Sequence, residues 1–307
     1  MSDSDLNRMF GVLGIICFLT LGLWYGSRTR LVKSTAENSP IQGDPKDHIV
    51  MYDIKKMQMP PEDHSLRVTV FASKLEAWLR FAHLPYRINC SATLKGAPKG
   101  QVPYITHGKT LVADTTFIIK YLTATYAKDL THSDLQLPDP EQHALATACL
   151  AVIEEKLLYD LAYHRFVVES GWQQVQYMSG KFPWWVRPFT MRAMRVRIHD
   201  RIYLQGTARH SQHDVNVLVR THLECLSTIL GNKPFLLGQN PSEADASLFG
   251  ILDQFVYGCM VSREMKQMIQ HFPNLCQFTE RIRVRFFPET LEDMPDTARQ
   301  DSIGKVA

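Results

Sequence analysis

The sequence predicts a small α/β domain followed by an all-helical domain, the pair preceded by one transmembrane helix. Three observations lead there. Residues 9–27, MFGVLGIICFLTLGLWYGS, carry no charge. Between His48 and Tyr126, short apolar runs alternate with runs of helical periodicity. Beyond a Pro138-Asp139-Pro140 hinge, the long periodic stretches are all helical. The 307 residues are 45% hydrophobic and 21% charged, an ordinary folding composition, and a net charge of +3 offers no footing for nucleic acid.

After a short tail (1–8), the uncharged stretch would span roughly 28 Å as a helix, close to one hydrocarbon core. Trp24 and Tyr25 stand at its end, where an aromatic belt belongs. A cleaved signal peptide is the alternative. Against it, Asp3 and Asp5 precede the stretch with only Arg8 positive, and no small-x-small cleavage site is clear. Arg28, Arg30 and Lys33 follow the span, which places the bulk of the chain in the cytosol of a single-pass membrane protein. Which membrane is left open. Residues 28–47 are polar and carry Pro and Gly, as a flexible tether would.

The first domain is expected over 48–128. His48–Tyr52 reads as a buried strand, and residues 55–65 as a loop broken by Pro60-Pro61. Leu66–His83 repeats its apolar residues at helical spacing, until Leu84-Pro85 stops it. Tyr86–Ile88 is the next strand. The segment QVPYITHGKTLVADTTFIIKYL (101–122) then gives strand, glycine turn, strand and helix. Pro103 cannot donate to a sheet, so it marks an edge, a bulge or a cis turn. With a cis bond, the Val102 amide and carbonyl would be open to an extended peptide. Asp114 and Thr115 stand where a helix begins, and free amides there favour a carboxylate. A proline-bounded hairpin followed by a capped helix accounts for the same residues without any ligand.

A linker (129–140) leads to a helical domain over 141–290, with long helices expected at 141–168, at 213–230 and after Gln239-Asn240-Pro241. Ser242-x-x-Asp245 is a capping box, a folding device. Trp184-Trp185 precede Arg187, Arg192, Arg195, Arg197 and Arg201. Such a run docks on anionic lipid or, the reading favoured here, is a solvated basic helix with its tryptophans in the interdomain core. His210 and His213 suit a cap or surface better than a metal. The six cysteines form no CxxC pair and no zinc or disulfide spacing. Residues 291–307 are expected to be a disordered tail.

The 101–122 segment resembles the strand, cis-proline, strand and helix of the thioredoxin-like half of glutathione S-transferases. KPFLLGQNPSEADASLFGIL (233–252) is similar to the buried box helix of their carboxyl-terminal half. LEAWLRFAHLPYRI (75–88), KGQVPYI (99–105), RIYLQGTARHSQHD (201–214) and FPNLCQFTERIRVRFFPE (272–289) look like the failed axon connections proteins, the cadmium-responsive proteins and, more distantly, the metaxins. The resemblance implies a thioredoxin-like domain followed by a helical domain of glutathione S-transferase type. It also implies a glutathione cleft in which Val102 and Pro103 meet the cysteinyl backbone while Asp114 and Thr115 hold the γ-glutamyl end. Relatives commonly carry Ser-Pro-aromatic-Cys where the first helix begins; here Thr69-Val70-Phe71-Ala72 takes that place, without the proline or the cysteine. Only the hydroxyls of Thr69 and Ser65 remain as candidates to meet a sulfur.

Two functions follow from this likeness. The leading one is a membrane-anchored binding or adaptor protein with a protein partner, no resident cofactor and a modified glutathione cleft, in axon development or another membrane-associated role. The alternative is an active glutathione transferase for hydrophobic electrophiles, its helical domain supplying an apolar second-substrate pocket. Heavy-metal handling, a third possibility, has no coordination chemistry behind it.

Overall fold

The computed structural model describes residues 48–54, 62–92, 96–127, 139–177 and 184–292, all within the unit spanning Asp44–Ala307. The expected anchor, the tether, most of the linker and nearly all of the tail lie outside the described residues.

Four strands, β1 (Ile49–Tyr52), β2 (Tyr86–Asn89), β3 (Tyr104–His107) and β4 (Thr110–Ala113), form one sheet in the order β2-β1-β3-β4. β1 runs parallel to β2 and antiparallel to β3, which pairs antiparallel with β4. Alternation in β1 buries Ile49 and Met51 on one face. On the other, Tyr52 stacks on its cross-strand partner Tyr104, ring centroids 4.7 Å apart. Gly108, at φ 57°, turns β3 into β4.

Helix α1 spans Val70–Phe81 rather than starting at Leu66, because Thr69 adopts extended dihedrals and its side chain caps the Ala72 amide. α2 (Thr115–Thr125) closes the domain. The helical part comprises α3 (Pro140–Val152), α4 (Leu158–Phe166), α5 (Glu169–Tyr177), α6 (Arg187–Gln205), α7 (Gln212–Leu230), α8 (Glu243–Val256), α9 (Arg263–Ile269), α10 (Pro273–Phe286) and α11 (Glu289–Glu292). The periodicity of 141–168 suggests one helix, but the structure interrupts it with a π turn at Ile153–Leu157.

α8 is the pillar of the fold, buried from Ala244 to Phe255. Ser242 and Asp245 form a reciprocal capping box at its start. Asp245 also accepts from the Leu236 amide at 2.7 Å, so the box ties the preceding loop to the helix. Deeper in, Asp253 accepts from Arg283 of α10 and from the Leu66 amide ahead of α1. α1 lies directly against α8. At their closest approach a Cβ on Gly250 would sit 2.7 Å from the Val70 carbonyl oxygen and 3.0 Å from the Lys74 nitrogen.

The expected fold class needs one correction. Among the described residues no helix is long and apolar enough to cross a membrane. The 19-residue α6 carries five arginines, and α7, of equal length, is polar on one face. The buried α8 has 14 residues, about 21 Å against a hydrocarbon core of about 30 Å. Among the described residues the fold is therefore an α/β domain joined to a helical one, and none of their helices is the expected transmembrane helix. The single-pass placement with a cytosolic bulk accordingly has no support among the described residues; the stretch 9–27 from which it is read lies outside them.

Gly250→Ala is expected to destabilise the fold by about 1–3 kcal/mol. Backbone, not a pliable side chain, meets the new methyl, and this outweighs the gain of about 1 kcal/mol in helix propensity; the denaturant midpoint reports it. His164 is fully buried on α4 with Nδ1 2.7 Å from Ser262 Oγ, and burial lowers its pKa to about 4. The folded state thus takes up its proton later than the unfolded chain does. The stability this provides is complete above about pH 6.5 and lost as pH falls through 6.5 towards 4, about 2 kcal/mol by pH 5. Urea titrations at pH 7 and 5 should show that decrement in the native chain and a smaller one in His164→Gln.

Candidate functional site

Beside the sheet lies a cavity of about 480 Å³, open between the α/β domain and the helices. On the sheet side it is walled by the Val102–Pro103 turn and the start of α2. The Val102–Pro103 bond is cis, between the 3-10 turn Pro98–Gly100 and β3. Asp114, between β4 and α2, holds φ 81° and ψ 125°, a backbone conformation that non-glycine residues seldom hold and that clusters at ligand sites. Its side chain accepts from the Thr116 amide at 3.1 Å, capping α2. Val102, Pro103, Asp114 and Thr115 all line this one cavity.

Thr69 and Ser65 are not among the lining residues. The Thr69 hydroxyl accepts from the Ala72 amide, and Ser65 donates to Asp63 at 2.6 Å in the buried loop ahead of α1. The residue that the first turn of α1 turns into the cavity is Phe71. Ser242 and Asp245 stay with their capping box.

The helical wall departs from an apolar pocket. It consists of Glu154, Glu155, Leu158 and Tyr159 from the π turn and the start of α4, with Arg201 from α6. Leu158 is the one aliphatic side chain among these five, so the expected apolar second-substrate pocket is corrected to a polar and charged surface. The π turn is the cause, since its extra residue rotates everything after it by about 100° relative to α3. Periodicity read in windows places these residues on a helix but carries no signal for that extra residue. Arg201 stands in the basic run, where nothing in the sequence separates it from its neighbours.

Charge is fixed around Lys74, which is 1% exposed on α1. Its ammonium lies 2.7 Å from Glu154 Oε1 and 2.8 Å from Glu243 Oε1. Ser247 donates to the same Glu154 oxygen at 2.7 Å. Burial alone would lower the Lys74 pKa, but Glu243 and Glu154 outweigh it and hold it above the usual value, so the lysine stays charged. With Glu154 occupied in this way, the ionic groups facing the cavity are Asp114 and Glu155 on the acidic side and Lys99 and Arg201 on the basic side. A zwitterion with separated charges matches that layout.

Comparison with known proteins agrees with the architecture. The profile of the glutathione S-transferase N-terminal domain matches residues 70–171, and that of the glutathione S-transferase C-terminal domain matches 219–282. Failed axon connections of Drosophila melanogaster is 26% identical over 80% of this chain, and the match spans 59% of that relative's length. An isoprene-epoxide–glutathione S-transferase of Rhodococcus is 29% identical over 71% of this chain and 93% of its own. Mouse metaxin-2 is 23% identical over 70% of this chain and 81% of its own. Among solved structures, the β-etherase LigF of Sphingobium superposes with a TM-score of 0.54 at 18% identity, over 80% of this chain and 99% of its own.

Lys74→Met would leave Glu154 and Glu243 facing each other without their shared cation. Both carboxylates are about a quarter exposed, so water recovers part of the loss. A destabilisation of about 2–3 kcal/mol is expected, at the lower end for a broken buried pair, and denaturant unfolding measures it.

Proposed function

We propose, since the chain belongs to the failed axon connections and metaxin branch of the glutathione S-transferase superfamily, that it is an adaptor-type protein whose cleft holds glutathione without activating it. The observation that carries this reading is a contrast within one cavity. Residues suited to a peptide thiol, Val102, Pro103, Asp114 and Thr115, line it together, whereas the first turn of α1 presents the hydrocarbon ring of Phe71. Val102 would pair through its main chain with the cysteinyl unit. Asp114 would take the ammonium group, and the amino end of α2 with Thr115 the neighbouring carboxylate. Next to Phe71 the thiol would meet no hydroxyl or thiol from the first turn of α1, only the helix amino end, so its activation would be weak. Bound glutathione then serves as a structural ligand, and the two-domain body as a surface for a protein partner.

A second reading, an active transferase on hydrophobic electrophiles, draws on one observation: Tyr159 brings a phenol to the cavity from the helical side. The Rhodococcus relative lends it weight, and the charged helical wall counts against it.

Calorimetry and a chlorodinitrobenzene assay on the full chain separate the two. The expected result is binding with a Kd of about 1 mM or tighter, weakened about tenfold in Asp114→Ala, with no turnover above the uncatalysed rate. Turnover abolished by Asp114→Ala and by Tyr159→Phe would establish the transferase. No heat of binding at several times that concentration would overturn the glutathione cleft itself.

A further inference from the structure

A second surface, remote in kind from the cleft and independent of that reading, runs along α6. Its outward face is apolar where a soluble helix is ordinarily polar. Phe189 is 73% exposed, Val196 49%, Tyr203 48% and Leu204 75%. The spacings of seven between Phe189, Val196 and Tyr203 put them on one stripe. The turn leading into the helix adds Trp184 at 86% and Trp185 at 62%. Tryptophans left this far in water are not in the interdomain core, contrary to the reading of them as core residues.

The orientation of the helix is set from below. Met191 and Ile202 are buried on the opposite face. Arg187 donates to the Gln176 carbonyl, and Arg195 to the carbonyls of Phe166 and Val167 with its guanidinium 4.9 Å over the Trp172 ring. These two arginines hold α6 down, so the aromatic stripe is committed to pointing outward. By helical angle, Arg192 flanks the stripe on one side and Arg197 on the other, with Arg201 beyond it at the cavity. Asp200 is the acid within the stripe, 3.8 Å from the His199 ring.

We infer that the Trp184-Trp185 turn and the outward face of α6 form a docking surface for an anionic phospholipid bilayer. An apolar stripe with aromatic rings at one end and arginines on both flanks is what a helix lying in the plane of a charged interface requires. Arg192 and Arg197 against the one aspartate on this face suit an anionic surface and oppose a second copy of this chain, which would bring like charges face to face. The contact runs along the side of a helix about 28 Å long; it needs no span across the membrane.

Full-chain protein and vesicles of phosphatidylcholine with about 30 mol% phosphatidylserine provide the test, half of the vesicles carrying brominated acyl chains that quench indole emission. Subtracting the Trp184→Phe/Trp185→Phe double variant isolates those two indoles from the others in the chain. Their emission should be quenched by brominated lipid when phosphatidylserine is present. The apparent partition should fall about fivefold for each of Arg192→Gln and Arg197→Gln, and again at about 1 M salt. A difference signal that ignores bromine, or that is equal on pure phosphatidylcholine, would overturn the proposal. So would three other outcomes: indoles shielded from acrylamide in buffer alone (the face covered within the chain), self-association that Phe189→Ser abolishes (a second copy), or shielding by soluble polyglutamate without lipid quenching (an acidic protein).

Discussion

The packing of α1 on α8 is the constraint from which the rest of the structure follows. The two helices belong to different domains, yet they approach until only a hydrogen fits at position 250. That contact brings Lys74 close enough to Glu243 and Glu154 to bind both. A buried ammonium is tolerated only where carboxylates reach it. The π turn that carries Glu154 is therefore held at the domain boundary, and the mouth of the cavity with it. The capping box works to the same end, since Asp245 fixes where α8 begins and hence where Gly250 and Glu243 stand.

On this frame the cleft divides into two halves of different character. Its sheet side carries a cis turn, a helix amino end and an acidic residue in a rare backbone conformation. Its helical side carries charge where an apolar electrophile would want hydrocarbon. Between them stands Phe71, a ring with no proton to give or take. A cleft lined by charges of both signs, with a phenyl ring at the first turn of α1, is the arrangement on which the adaptor reading rests. The aromatic face of α6 provides such a body with a separate place of contact.

Much of the fold was legible. The 101–122 segment announces its own structure because its determinants are local: a proline without a donor, a glycine for the turn, a capping acid before a periodic helix. Val102, Pro103, Asp114 and Thr115 follow from it. Ser242 and Asp245 are legible for the same reason. Thr69 and Ser65 are candidates by their hydroxyls alone, but both are engaged in the turn before α1, Thr69 by the Ala72 amide at 3.2 Å and Ser65 by Asp63 at 2.6 Å. Tyr159 and Glu155 are not legible because a π turn leaves no mark in hydrophobic spacing, and Arg201, though part of the basic run, has nothing in the sequence to set it apart from its neighbours. Trp184 and Trp185 misled in the opposite direction: large apolar residues are usually interior, and only the arginines that staple α6 from beneath turn these two to solvent.

The sequence by itself determined the two-domain architecture, the order of its strands and the residues that line the sheet side of the cleft. Each of these depends on residues adjacent in the chain or repeated at a helical or strand period. Only the tertiary structure decided that Phe71 is the residue of that turn lining the cavity, that the helical wall is charged and that an aromatic face is left outward. The first two depend on the rotation of one helix against another, set by Gly250, Lys74 and the π turn acting together across more than 100 residues of chain, and the third on the contacts of Arg187 and Arg195 beneath α6.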